Sequence, residues 1–460
     1  MDISCVDHFI SKGAWNGPRS HFARWKSFAW PFPKFTSLSL LCAKMKPLFW
    51  IWAVLVLVSC SSRVEDDARL IERLMEAHPQ QFDHILKNQD SLEVQIIYTQ
   101  IDRDDQNRPS FRSFYFNVDS ARYFYPASTI KLPMVLLALE KINRLGIPGL
   151  TEHSIMLHDS AYRGQWPAHA DTTSANGLPS IDHYAKKILV VSDNDASNRL
   201  YEFVGQQAVH ESLNGRGYTS RLLHRLERPL TPDENRHTEA VRFLDARGNE
   251  IYKQSMLVNP DSIEPLMRAK KGRGFMRNGQ VVHQPLDFTY KNYYPLAVQQ
   301  RLLRALIFPS SVPEASRFRL SDHQRQKVLQ YMSQLPDETA FPPYYRDTTL
   351  YDAYCKFLMY GEERAPIPAN IRIFNKVGDA YGYLIDNAYI VDFDQGVEFL
   401  LSAVIYCNSD GILNDGAYDY EEVGFPFMRD LGQVVYEYER NRPRSRKPDL
   451  SEFRLTYDRP

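Results

Sequence analysis

Apolar residues fall in helical register at Leu70, Ile71, Leu74 and Met75, which predicts a helix over 66–88. The stretch 92–101 (Leu-Glu-Val-Gln-Ile-Ile-Tyr-Thr-Gln-Ile) then reads as a strand. A turn at Asp104-Asp105-Gln106-Asn107 leads to a second strand over 111–118, so the two predict a hairpin. From 128 to 145 the chain is apolar nearly all round, with Ile130, Leu132, Met134, Val135, Leu136, Leu137, Leu139 and Ile142. A helix apolar on every face belongs in a protein interior. A long, mostly helical middle is predicted over 150–360. Strands return at 371–376, 381–393 and 397–406, the last two joined by Asp394-Gln395-Gly396, and a final helix is predicted over 418–439.

This order predicts a mixed α/β (α+β) fold. Both ends of the chain contribute to one antiparallel sheet (66–127 and 365–440), flanked by N- and C-terminal helices, and an all-helical part (146–364) is inserted between them. A polar, Pro-containing tail over 441–460 is expected to be loosely ordered.

The first 59 residues read as an address rather than as fold. Residues 1–44 carry six Lys and Arg against two Asp and have no periodicity. Met45 and Lys46 then precede an apolar run of 11 residues, 48–58. That is too short for a bilayer span of roughly 20 residues, but it suits a secretory signal. The run ends in Leu57-Val58-Ser59-Cys60, which resembles the bacterial lipobox. The resemblance implies cleavage before Cys60, lipid on its sulfur and a bacterial cell-envelope location with a membrane anchor. Translation is expected to start at Met45, with 1–44 an upstream extension and 45–59 the signal.

Composition narrows the classes further. The 460 residues are 43% hydrophobic and carry 55 Lys and Arg against 56 Asp and Glu. So even a balance excludes nucleic-acid binding through bulk charge. Of the five cysteines, Cys355 and Cys407 could pair or stay free, and none has metal-ligand spacing. The 13 histidines include no His-Glu-x-x-His, and no metal or cofactor is implied.

Three short motifs carry candidate chemistry. Ser128 and Lys131, in Pro126-Ala127-Ser128-Thr129-Ile130-Lys131, lie one turn apart at the mouth of the apolar helix. A serine hydroxyl needs a base to become a nucleophile, and a desolvated lysine loses enough basicity to serve. Alone, the pair equally fits an N-cap serine and a surface lysine. Ser192-Asp193-Asn194 follows the apolar run 188–191 and alone fits a helix-capping cluster. Lys376-Val377-Gly378 ends a strand and alone fits a surface lysine.

In that order, Ser-x-x-Lys, Ser-Asp-Asn and Lys-x-Gly resemble the motifs of class A β-lactamases and penicillin-binding proteins. The stretch 191–200 (Val-Ser-Asp-Asn-Asp-Ala-Ser-Asn-Arg-Leu) is similar to that family in particular. The resemblance spans about 66–440 and implies a β-lactamase/transpeptidase-like fold over 60–440. It implies that Ser128 attacks an amide or lactam carbonyl, Lys131 is its base and Ser192 passes the proton to the leaving nitrogen. Asn194 and Lys376 would bind substrate, with Gly378 letting it approach the strand. The backbone N–H groups of Ser128 and Asp379 would form the oxyanion hole.

The chain departs from the family pattern in three places. Val377 stands where the family has Thr or Ser, whose hydroxyl binds a substrate carboxylate. Arg225-Leu226-Glu227-Arg228 resembles the opening of the loop that carries the deacylating Glu, yet simple register puts Leu230 at the Glu position. Glu234 and Asp233, then Glu239, are the nearest downstream carboxylates, and a solvated acidic turn is the competing reading. Extra chain falls around 240–295, including Lys270-Lys271-Gly272-Arg273-Gly274. Three functions are in competition: a lipid-anchored hydrolase of β-lactams or related cyclic amides, a D,D-peptidase of cell-wall peptides, and an envelope-binding protein with a degraded site. In each the partner is a small-molecule or peptide amide, never a nucleic acid.

Overall fold

The computed structural model describes residues 68–458. Cys60, the apolar run 48–58 and Met45 lie outside the described residues. The central sheet has five antiparallel strands: β1 Gln95–Arg103, β2 Pro109–Phe116, β3 Ile371–Ala380, β4 Tyr383–Asp392 and β5 Val397–Tyr406. Their order is β3-β4-β5-β1-β2. Ile97 sits opposite Ser402 on one side and Tyr115 on the other, so the first hairpin completes a sheet begun by the last three strands. Central β4 and β5 are buried on both faces, including the polar Asp386, Asn387, Glu398 and Ser402 within them. Edge strand β2 alternates exposed and covered positions and takes a proline only as its first residue.

In chain order the main helices are α1 Leu70–Glu76, α2 Pro79–Lys87, α3 Lys131–Leu145, α4 Ile181–Val191, α5 Asn194–Val204, α6 Gln206–Gly215, α7 Leu296–Ile307, α8 Asp322–Ser333 and α9 Phe425–Asn441. On one face of the sheet, Leu70 of α1, Phe82 of α2 and Leu431 and Val435 of α9 share a cluster with Ile373, Ala388 and Phe399. On the other face lies α7. Its buried Gln300 donates to Ile97 O and Ser402 Oγ, both at 3.0 Å, and accepts from Thr99 Oγ1 at 2.9 Å. Beyond it, α3 is the hub of a second cluster. Val135, Leu136 and Ala138 of α3 are fully buried among Ile188 of α4, Leu200 and Phe203 of α5 and Val209 of α6. The apolar girth of 128–145 is thus a central helix with partners on every side.

Four expectations need correction. The helix over 66–88 is two helices, because Pro79 cannot continue the first but suits the opening turn of the second. The middle is not all helical. Ile155–Asp159, Ala240–Leu244 and Glu250–Gln254 form an antiparallel sheet, and the extra chain near 240–295 adds Gly274–Arg277 and Gln280–Val282 as a hairpin. The final helix starts at Phe425, after one wide turn over Tyr420–Gly424. The tail is docked: Leu450 and Phe453 are buried, and the Phe453 ring meets Tyr389 edge-on at 4.9 Å. Cys355 and Cys407 are both buried free thiols.

One buried histidine ties the helical part to the segment that walls the site. His210 Nδ1–H donates to Gln206 O at 2.8 Å, and its Nε2 accepts from Leu222 N–H at 3.0 Å. Both ring nitrogens are used by the neutral form, and burial lowers the imidazole from 6.5 to about 4. The unfolded chain therefore takes up a proton below 6.5 that the folded chain refuses until about 4. Stability present above pH 6.5 is lost as pH falls through this window, by about 3 kcal/mol from this group. Urea midpoints at pH 7 and pH 4 should show the loss, and a His210→Gln variant should show a shallower one. Equal pH dependence in both proteins would exclude His210 as its source.

Candidate active site

Ser128 lies in a tight 3-10 turn, Ala127–Ile130, immediately before α3. Pro126 sets the turn, since its carbonyl accepts from Thr129 N–H at 3.1 Å and from Thr129 Oγ1 at 2.6 Å. Ala127 is buried at φ 45°, a left-handed conformation that costs a residue with a Cβ about 1–3 kcal/mol. The strain is held at the residue that orients Ser128. Among the described residues Ser128 Oγ has no hydrogen-bond partner, and Ser128 lines an open cleft of about 680 Å³.

Beside this turn, three groups from distant segments meet. Lys131, fully buried at the start of α3, donates from Nζ to the Ser192 carbonyl and to Ser192 Oγ at 3.2 Å. Lys376 Nζ, from β3, donates to the same Ser192 Oγ at 2.8 Å and to Val377 O at 2.9 Å. Ser192 is presented at φ 63°, where α4 ends in a left-handed residue and α5 begins. Asp193 caps α5 by accepting from Ala196 N–H at 2.8 Å. The helix-capping reading of this motif is therefore true of Asp193, while its neighbours Ser192 and Asn194 face the site. Asn194 is the first residue of α5 and lines the cleft with Ser128.

The electrostatics suit proton transfer. Burial pushes Lys131 well below the ordinary lysine range and the nearby Lys376 charge pushes it further, partly offset by Asp193, Cys355 and Asp379. Burial also lowers Lys376. Two ammonium groups on one hydroxyl are costly together, so the neutral amine is favoured at Lys131. Gly378 closes the arrangement. A Cβ there would stand 2.9 Å from both Pro126 O and Ser128 N, so the strand backbone reaches the Ser128 turn only because the residue is glycine. Asp379 follows it and lines the cleft.

The two carboxylates singled out for water activation are elsewhere. Glu234 forms a capping box with Thr231, accepting from Thr231 N and Oγ1 at 2.8 Å while Thr231 Oγ1 accepts from Glu234 N at 3.2 Å. Asp233 accepts from Tyr162 OH at 2.7 Å and Arg163 Nη2 at 3.3 Å. Glu239 is buried against Arg199 at 2.7 Å and His158 at 2.9 Å. None of the three lines the cleft holding Ser128. The carboxylates that do are Asp379 and Glu227, the latter within the Arg-Leu-Glu-Arg opening itself and exposed at φ 51°. Asn198 of α5 holds this segment, donating to Leu226 O and accepting from Leu226 N–H, both at 2.9 Å.

The remaining walls were not singled out from sequence. They include Tyr125, Tyr381, Tyr418 and Lys291. Tyr125 had a signal, being only three residues before Ser128. Lys291 reaches the cleft from extra chain, Tyr381 from the turn beyond β3 and Tyr418 from the segment between β5 and α9. Among the described residues, Glu152, His153 and His323 bring metal-ligand types within 4.8 Å of one another, and none of them lines the cleft.

Residues 79–258 match the model of the β-lactamase enzyme family. No curated protein matches the sequence. Among solved structures, a β-lactamase from Xanthomonas campestris is 13% identical, with 80% of this chain and 98% of that one covered, at a TM-score of 0.43. One from Desulfarculus baarsii is 14% identical, with 81% and 98% covered and a TM-score of 0.42. One from Chitinophaga pinensis is 10% identical, with 78% and 99% covered and a TM-score of 0.43. The matched segment contains Ser128, Lys131, Ser192 and Asn194, while Lys376 lies beyond it.

Proposed function

We propose that this protein is a serine hydrolase that opens an amide or lactam through an acyl-enzyme on Ser128. One observation carries the reading: Lys131 and Lys376, which lie 61 and 184 residues from Ser192, both donate to its hydroxyl beside an unpartnered serine that faces a cleft. Ser128 Oγ adds to the carbonyl carbon as its proton passes to Lys131 Nζ. The C–N bond breaks as the leaving nitrogen takes a proton relayed through Ser192. The backbone N–H groups of Ser128 and Asp379 hold the oxyanion, and Asn194 and Lys376 orient the substrate. Water then adds to the ester, losing a proton, and frees Ser128 and the acid.

The commitment of Asp233 and Glu234 to other bonds favours slow loss of the acyl group, as in a D,D-peptidase acting on cell-wall peptides. Incubation with a fluorescent penicillin, read by intact mass, tests both readings. The expected result is one adduct per chain, absent in Ser128→Ala. Rapid turnover supports a lactam hydrolase, and a persistent adduct supports the peptidase. A folded protein that acquires no adduct, either from penicillin or from its amine-bearing amide, refutes the acyl-enzyme. We also propose a bacterial envelope location through lipid on Cys60, supported by the apolar run that ends at Ser59-Cys60. Metabolic labelling with an alkyne fatty acid should be lost in Cys60→Ser.

A further inference from the structure

The charges that face the cleft are unequally committed. Arg225 is buried, with Nε 2.8 Å from Glu202 and Nη2 on the Glu234 and His237 carbonyls. Arg228 pairs with Asp195 at 2.8 Å and lies 4.2 Å over the Trp166 ring. Lys291 donates to Tyr381 OH at 3.2 Å and sits 5.1 Å from that ring. Lys131 and Lys376 are buried behind the wall, directed at Ser192. Against these, Asp379 and Glu227 are exposed in the cleft, and among the described residues neither has a hydrogen-bond or ion-pair partner.

The rest of this wall mixes the aromatic Tyr125, Tyr381 and Tyr418 with Asn194, Asn414 and His224. Val377 is 2% exposed and packs in the sheet core, so it offers a ligand no hydroxyl. Tyr125 and Tyr381 meet edge-on at 4.9 Å, and Tyr125 stacks on His224 at 6.0 Å. Ring faces together with free carboxylates attract cations and repel anions.

Resting on the function proposed above, we infer that the cleft selects an amide or lactam whose group on the Asp379 side is a protonated amine rather than a carboxylate. Asp379 and Glu227 supply the charge, and the tyrosines supply a surface over which an ammonium group is favoured.

The test uses two β-lactams identical but for one group: a free carboxylate, and the same carboxyl amidated with ethylenediamine to leave a primary amine. Acylation of Ser128 is timed by intact mass. The amine form should acylate the protein at least tenfold faster. The advantage should shrink in Asp379→Asn and in Glu227→Gln, reverse in Asp379→Lys, and fall with added salt. Faster acylation by the carboxylate form, or a preference for the amine unchanged in all three variants, overturns the selectivity while leaving the acyl-enzyme intact. Acylation by neither probe, in protein that gives a native circular dichroism spectrum, overturns the nucleophile assignment and the selectivity with it.

Discussion

Lys131→Met should slow acylation of Ser128 by roughly 100- to 10,000-fold, the range over which a positioned base acts. Lys131 is the amine with both the burial and the neighbouring charge to stay neutral at ordinary pH. Methionine keeps the length and apolar stem, so α3 should still pack, and a near-native thermal midpoint would separate lost chemistry from lost folding. The pH profile has a definite sign. The lysine is lowered in the folded protein, so the active neutral amine persists well below the usual lysine range. Acylation should be level at high pH and fall only as pH drops through that lowered value. Lys131→Met should lose this limb along with the rate. A profile that this substitution leaves unchanged would sink the assignment of the base.

Gly378→Ala should be nearly as damaging for a steric reason. Its Cβ would meet Pro126 O and Ser128 N at 2.9 Å and Thr129 N at 3.1 Å, all of them backbone atoms that no rotamer change can clear. Either β3 retreats or the turn that carries Ser128 does, and the Ser128 N–H loses its place relative to Asp379. Misplacing one oxyanion donor costs roughly 100- to 1000-fold in rate. Acylation kinetics should show the loss mainly in the maximal rate, with apparent affinity less affected. Acylation at the normal rate would mean that close approach of β3 to Ser128 is not required.

Much of this arrangement was readable in the sequence because its signals are strong and local. The apolar circumference of α3 could only be buried. The strands that became β3, β4 and β5 stood out near the C-terminus, and the three motifs occur in one order. What escaped depends on geometry that no residue announces. Ala127, Ser192 and Glu227 adopt left-handed backbone conformations without glycine, and each turns a neighbour or itself toward the cleft. The misplacement of Glu234 had a visible remedy. Thr231-Pro232-Asp233-Glu234 is a Thr-x-x-Glu helix start with proline in its first turn, a pattern that commits the glutamate to capping. The strands hidden in the middle, such as Glu250–Gln254, are short and mostly polar, so they lack the signal that marked β4. The docked tail reads as polar because only Leu450 and Phe453 of its neighbourhood are apolar enough to be buried.

That tail bridges the two walls of the pocket. Phe453 lies against Phe374 of β3 at 5.6 Å, and the Arg372 guanidinium lies 4.5 Å over the Tyr457 ring. Asp458 pairs with Lys186 of α4 and accepts from Gln334 Nε2 at 2.5 Å, while Tyr457 OH meets Ser333 Oγ of α8 at 2.9 Å. One short ribbon therefore grips both the strand that supplies Lys376 and the helix that ends at Ser192. It works as a clasp, and the gap between amine and hydroxyl is gauged partly by residues with no chemistry of their own. Variation in this ribbon would shift the spacing of Lys376 and Ser192 from a distance, the way a set-screw trims an instrument without touching its moving parts.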